Sequence, residues 1–219
     1  AMADAIELFR PYVTAGREIV CFSISAGMST SGNVMRLAAE ELGASDRIKV
    51  IDSANLSTGI GLLVIEAAIM AKNNRTVSQI VSEIEKLKPN VRASFVVDTL
   101  TYLYRGGRCN AVAAMAGGVL KLHPRIVVED GAMNASKKYR GKIASVVMNY
   151  VKDMEKDLKK ARPERVFITH SGCEQETVEK VRAYLKELDI FDEILETRAG
   201  GVVSSHCGPG TLGVLYIAK

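Results

Sequence analysis

The chain has 219 residues, 47% of them apolar and 25% charged, which is core material for one large domain or two small ones. Its 29 basic and 25 acidic residues leave a net charge of +4 and are scattered rather than clustered. With 5% aromatics and no Trp, that balance argues against a nucleic-acid stacking platform. No apolar run reaches the ~18 residues of a bilayer span. No basic-plus-apolar leader opens the chain.

The four cysteines, Cys21, Cys109, Cys173 and Cys207, form no C-x-x-C pair and no metal-ligand spacing with the three histidines. Reduced thiols in a cytoplasmic protein, with no metal, are the expectation. The chain opens at Ala1 directly on helical material, so native residues are expected upstream.

A short helix is expected over 5–12, with Ile6, Phe9 and Tyr12 inward. Glu18 to Ser25 (EIVCFSIS) is nearly continuous and β-branched, as a buried parallel strand reads. The loop AGMSTSG follows, then a helix from Asn33 to Leu42. Lys49 to Ile51 is a second strand, closed by Asp52-Ser53. Helices are expected from Gly59 to Lys72 and from Val77 to Leu87, the second with Val77, Ile80, Val81, Ile84 and Leu87 on one face. Ala93 to Val97 is a third strand.

Asp98 to Asn110 (DTLTYLYRGGRCN) reads as a helix capped by Asp98 and ended by Gly106-Gly107, whose conformational freedom permits a left-handed exit and close approach. Arg105 and Arg108 flank that bend, where guanidinium forks can meet an anion or an acidic partner. A solvated helix end explains them equally. Ala111 to Leu120 is a small-residue helix. Arg125 to Val128 is a strand, and Glu129 to Ala132 a hairpin turn. Gly141 to Lys160 reads as one long amphipathic helix with Ile143, Val146, Val147, Tyr150, Val151, Met154 and Leu158 inward. The sign alternation from Lys152 to Lys160 marks its exposed face. A strand from Arg165 to Thr169, a helix from Gln175 to Leu188 and a strand from Glu193 to Glu196 follow. Alternating strands and helices predict an α/β fold with two α/β domains, 1–97 and 98–219, the first with a mainly parallel sheet.

Three polar segments carry candidate chemistry. Ser25 to Gly32 joins a strand to a helix start, where backbone N–H groups welcome an anion or are simply capped by Ser29, Thr30 or Ser31. Gly27 to Ser31 also approaches the G-x-S-x-G nucleophile elbow, failing at its last position, with His206 as a distant base. Around His206, Gly208, Gly210 and Gly213 satisfy G-x-G-x-x-G, but too little chain follows for a dinucleotide-binding unit. A rigid Gly-Pro-Gly turn there would hold the imidazole as a hydrogen-bond donor. Arg140, after Lys137 and Lys138, places positive charge at a helix start against the dipole.

Together SISAGMSTSGN, VIDSANLSTGIGLLVIEAA, DTLTYLYRGGRCN, KLHPRIVVEDGAMNASKKYRGK and HCGPGTLGVLYIAK resemble the DegV family of bacterial lipid-binding proteins, in order across essentially the whole chain. The resemblance implies two α/β domains holding one long-chain fatty acid in a tunnel at their interface. It implies no other cofactor and no chemistry by the protein itself. It further implies presentation of the carboxylate to a separate ATP-dependent fatty acid kinase, whose acyl-phosphate feeds phospholipid synthesis. By position, Ser29 and His206 match the carboxylate-binding residues, with Ser25 and Thr30 beside them. Arg105, Arg108 and Arg140 match the rim that faces the kinase. Relatives read S-G-T where this chain has Ser29-Thr30-Ser31. They also use an upstream T-S-x-P-S threonine absent here, and a threonine where Cys207 stands. The alternative is a serine hydrolase using Ser29 and His206. Met28, Leu62, Leu63, Met115, Val119 and Leu120 are candidate tunnel-lining residues, with ordinary core as the competing role.

Overall fold

A computed structural model of the chain describes residues 2–107 and 122–219. The chain divides into two compact units, Ala1–Leu56 with Ile60–Pro89 and Ser57–Gly59 with Asn90–Lys219. The division after Pro89 precedes the boundary expected near Asp98.

The first unit pairs β1 (Ile19–Ser23) in parallel with β2 (Ile48–Asp52). Helices α1 (Met2–Thr14) and α2 (Ser31–Glu41) pack together, and Phe9, Ala38, Ala39, Ala44 and Ile48 form their core. The first helix outruns its expected span at both ends. Tyr12, expected inward, is 49% exposed, because the apolar stripe of α1 turns away from it. Helix α3 (Thr58–Lys72) is apolar nearly all round, with Leu62 and Leu63 fully buried. In α4 (Val77–Leu87), Thr76 and Gln79 form a capping box, and Ile80 and Ile84 are the buried members of the expected face.

The second unit is built on a six-stranded mixed sheet in the order β5-β4-β3-β8-β6-β7. Its strands are β3 (Val91–Val96), β4 (Leu122–Glu129), β5 (Ala132–Arg140), β6 (Ala161–Ser171), β7 (Glu193–Arg198) and β8 (Thr211–Ala218). Among the described strands of this sheet, β6 and β7 are the only parallel neighbours. The remaining pairs are antiparallel. The β4–β5 hairpin turns on Asp130 (φ 49) and Gly131 (φ 74), the paired left-handed conformation that suits the strand twist. The third strand expected in the first domain is β3, and it sits inside this sheet.

Helices α5 (Thr101–Gly106), α6 (Ile143–Asp153), α7 (Glu155–Leu158), α8 (Gln175–Glu187) and α9 (Gly201–Cys207) complete the described elements. The long helix expected to Lys160 breaks at Met154, whose N–H bonds Val151 three residues back at 3.1 Å and tightens the turn. Its apolar seam nevertheless stays inward from Val146 to Leu158. At the centre, the fully buried Tyr150 donates its hydroxyl to the Ser94 carbonyl at 2.7 Å. The Tyr150 hydroxyl oxygen in turn accepts from Val214 N at 3.0 Å. The helix expected over 111–120 lies outside the described residues.

Candidate functional site

In the first unit, the carboxyl ends of β1 and β2 feed two polar loops that lock together. Ser25 N donates to Asn55 O at 2.9 Å, and Ala26 N to the Asp52 carboxylate at 3.2 Å. The other Asp52 oxygen accepts from Ala54 N at 2.9 Å, and Ser53 Oγ accepts from Asn55 N at 3.1 Å. Ser25, Ser53 and Asn55 are buried, while Ala54 (φ 50) and Ser57 (φ 51) hold left-handed conformations without being glycine. Such conformations persist only where surrounding bonds over-determine them. The start of α2 is seated by Gly32, where a Cβ would lie 2.6 Å from the buried Ser23 hydroxyl.

Ser29 sits on this rigid base. Its hydroxyl accepts from Ser31 N at 3.2 Å and donates to Ser31 Oγ at 3.1 Å, closing the first turn of α2. Thr30 occupies the cap position without a side-chain bond, and Met28 is buried. A nucleophile elbow carries its serine on a strained turn. Here the left-handed non-glycine residues of the described chain do not include Ser29.

In the second unit, β3, β6 and β7 run the same way, so their carboxyl ends share one edge with the starts of β4 and β8. Arg105, Arg140 and His206, the described positions flagged in this half of the sequence as candidate site residues, lie toward that edge. Arg105 is exposed on α5, and Arg140 is exposed at the end of β5. Arg108, Met115, Val119 and Leu120 lie outside the described residues.

His206 is in the last turn of α9 rather than inside the Gly-Pro-Gly turn. Its imidazole lies against Gly106, where any Cβ would overlap the ring. The Tyr102 ring meets Gly208 in the same way, and Gly208 also needs its positive φ of 80. Two glycines thus let α5 and α9 pack face to face. Gly107 supplies the expected left-handed exit from α5 (φ 63). The expected Asp98 cap is not made: α5 begins at Thr101, whose N–H bonds Thr99 Oγ1 at 3.2 Å. Asp98 instead faces the buried His123 at 3.5 Å, because the chain turns sharply on leaving β3.

Two features of this edge have no counterpart in the sequence reading. Thr58, Thr169 and Thr197 form a row of hydroxyls, joined at 2.5 Å and 3.0 Å. Beside it, an open cleft of about 500 Å³ is lined by His170, Ser171, Gly172, Arg198, Ala199, Ser204, Ser205 and Pro209. Only the spacing of Thr169 and Ser171 on one strand face hinted at either. Cys21 and Cys173 are free, and burial pushes both thiols up to about 11, as inert thiols. Among the described residues, no group of three or more His, Cys, Asp or Glu side chains is placed to hold a metal ion. None of their helices is long and apolar enough to cross a membrane.

The family model described as "Uncharacterised protein, DegV family" matches residues 1–219. A DegV domain-containing protein of Clostridium perfringens is 33% identical over 216 residues, covering 97% of this chain and 74% of that protein. A Thermus thermophilus structure described as fatty acid binding of a DegV family protein superposes with a TM-score of 0.89 at 25% identity, covering 100% of this chain and 77% of that one. The structure of DegV, a fatty acid binding protein from Bacillus subtilis, superposes at 0.81 with 25% identity and the same coverage.

Proposed function

The chain belongs to the DegV family, and from that premise we propose that it binds a long-chain fatty acid and presents its carboxylate to a separate kinase, performing no chemistry itself. The observation that carries the reading is the whole-chain likeness to the two fatty-acid-binding structures of T. thermophilus and B. subtilis. On this reading Ser25, Ser29, Thr30 and His206 are the donors to the carboxylate, Ser29 turning its proton from Ser31 Oγ to the ligand, and the acyl chain lies in a tunnel. A buried carboxylate without donors costs several kcal/mol. Hydroxyls and an imidazole supply them without burying a permanent counter-charge. Each methylene drawn from water adds roughly 0.8 kcal/mol, so the tunnel sets affinity and the loops set orientation. Arg105, Arg108 and Arg140 form the rim toward the kinase, where guanidinium groups meet acidic or phosphate oxygens. The Ser29 hydroxyl closes a turn at the helix start and Ser29 is not in the left-handed region, which supports a binding residue over the nucleophile of a serine hydrolase.

The test is to extract the purified protein and analyse the extract by chromatography, alongside native mass spectrometry. About one fatty acid per chain is expected. In Ser29→Ala, affinity should drop by about 1–3 kcal/mol, since a carboxylate oxygen loses its partner. The fold should lose only about 1 kcal/mol from the missing turn closure. An apo protein that takes up no added fatty acid, or a Ser29 that reacts with a fluorophosphonate in a His206-dependent way, overturns the reading.

A further inference from the structure

The cleft at the carboxyl ends of β6 and β7 has the makings of a second, separate ligand site. The chain leaves β6 into α8, which packs on α6, and leaves β7 into α9, which packs on α5. The two connections therefore part above the strand ends, the place where open α/β sheets hold ligands. The cleft between them, about 500 Å³, lies within the range of small-molecule pockets.

Two of its donors, on Arg198 and Ser171, lack protein partners among the described residues. Arg198 is exposed at the end of β7, and among the described residues its guanidinium makes no hydrogen bond or ion pair. The nearby acid cannot draw it away. Glu196 already accepts from Arg182 at 2.6 Å and from His170 at 3.3 Å, and the Arg182 hydrogen bond holds its carboxyl below the usual range. Ser171 is 8% exposed, yet its hydroxyl has no protein partner among the described residues. Ser171 lines the cleft, so its hydroxyl is left to bond whatever enters there. By contrast, Ser204 and Ser205 have committed their protons to Ala199 O at 3.0 Å and Val202 O at 2.8 Å. Toward the cleft these two hydroxyls can only accept.

We propose that this cleft binds a small phosphate monoester, its phosphate on Arg198 and Ser171 and the hydroxyl groups of its organic part donating to Ser204 and Ser205. A phosphate has three terminal oxygens, enough to fill the guanidinium fork and still accept from the serine. A carboxylate has two, and the fork alone uses both. The cleft is much larger than inorganic phosphate, so a hydroxylated organic group completes it. This assignment stands apart from fatty acid binding and does not depend on it.

Calorimetric titration of the full chain at low ionic strength, with ribose 5-phosphate, inorganic phosphate, ribose and acetate as probes, tests it. Ribose 5-phosphate should bind saturably and more tightly than inorganic phosphate, with ribose and acetate far weaker. Arg198→Ala should weaken the monoester about tenfold or more, and Arg198→Lys should restore part of the loss, an ammonium keeping charge without the fork. Ser171→Ala should weaken it by about threefold to tenfold. Arg198 is exposed, so its variants retain the fold, which thermal melting verifies. No saturable phosphate binding, acetate binding as tightly as the monoester, or variants that bind like the parent would each overturn the proposal.

Discussion

Gly106 and His206 are matched: the ring occupies the space that any side chain on Gly106 would need. Gly106 is the last residue of α5, so alanine there should favour the helix by at most about 1 kcal/mol. The same methyl group must push the imidazole aside. Gly106→Ala is therefore expected to melt within a few degrees of the parent and to bind fatty acid about tenfold more weakly, as a lost charge-assisted bond implies. Titration with a fluorescent fatty acid beside thermal melting reads both, and unchanged affinity would remove His206 from the ligand site. At this scale the sequence was partly legible. Its Gly-Gly pair announced a close approach, and Gly107 does make the left-handed exit. It could not say that the approaching group is the imidazole of His206, because that depends on how α9 packs. The Asp98 cap failed for a similar reason: a tertiary neighbour, His123, faces the carboxylate that a local pattern assigned to the helix.

Among the elements, the β4–β5 hairpin and α6 are joined by Asp153, which accepts from Lys137 at 2.6 Å and Tyr139 at 2.7 Å. Partial burial would raise its carboxyl, but the two donors outweigh it and hold the group below the usual carboxylate value. Folding therefore favours the ionised form. The resulting stability is fully present above about pH 4 and is lost as pH falls through the lowered folded value. Asp153→Asn should be less stable than the parent at neutral pH, and urea unfolding should show the gap closing toward pH 2. A gap independent of pH would mean the contact acts through packing alone. The strand of this hairpin was not foreseen: AMNASKKYR has too little apolar alternation for a strand, since β5 is a sheet edge with most side chains in water. The amphipathic seam of α6 and α7 was foreseen, with Ile143 only partly buried, because burial follows a period of three and four even where the helix breaks.

For the whole molecule, the α/β class follows from the alternation of elements, and the chain contains one small parallel sheet and one larger mixed sheet. The mixed pairing was hidden, because β8 is buried along nearly its whole length and reads alike in either direction. The proposed division of labour between binding and delivery is also a property of the whole. Arg140 is exposed at the end of β5, so Arg140→Ala should leave fatty acid affinity nearly unchanged while a cognate kinase turns over the loaded protein more slowly. An exposed charge acts mainly on encounter, so the deficit should shrink at high salt. Release of fatty acid by this variant would place Arg140 in the ligand site instead.

The row formed by Thr58, Thr169 and Thr197 has an odd count of its own. Three hydroxyls carry three protons, while two bonds use only two of them. When the row runs in one sense, the spare proton points outward from one terminal threonine; when every donor reverses together, it points outward from the other. Direction is thus a collective property, set at either end by whatever accepts there, and Thr169 is the hinge of both senses. Replacing a terminal member with isosteric valine breaks one link, whereas valine at the middle orphans both remaining hydroxyls. Thr169→Val should accordingly destabilise more than Thr197→Val, by about 1 kcal/mol or more. The Thr169→Val/Thr197→Val double variant should cost less than the sum of its parts, and strict additivity in chemical denaturation would show that the row has no common direction.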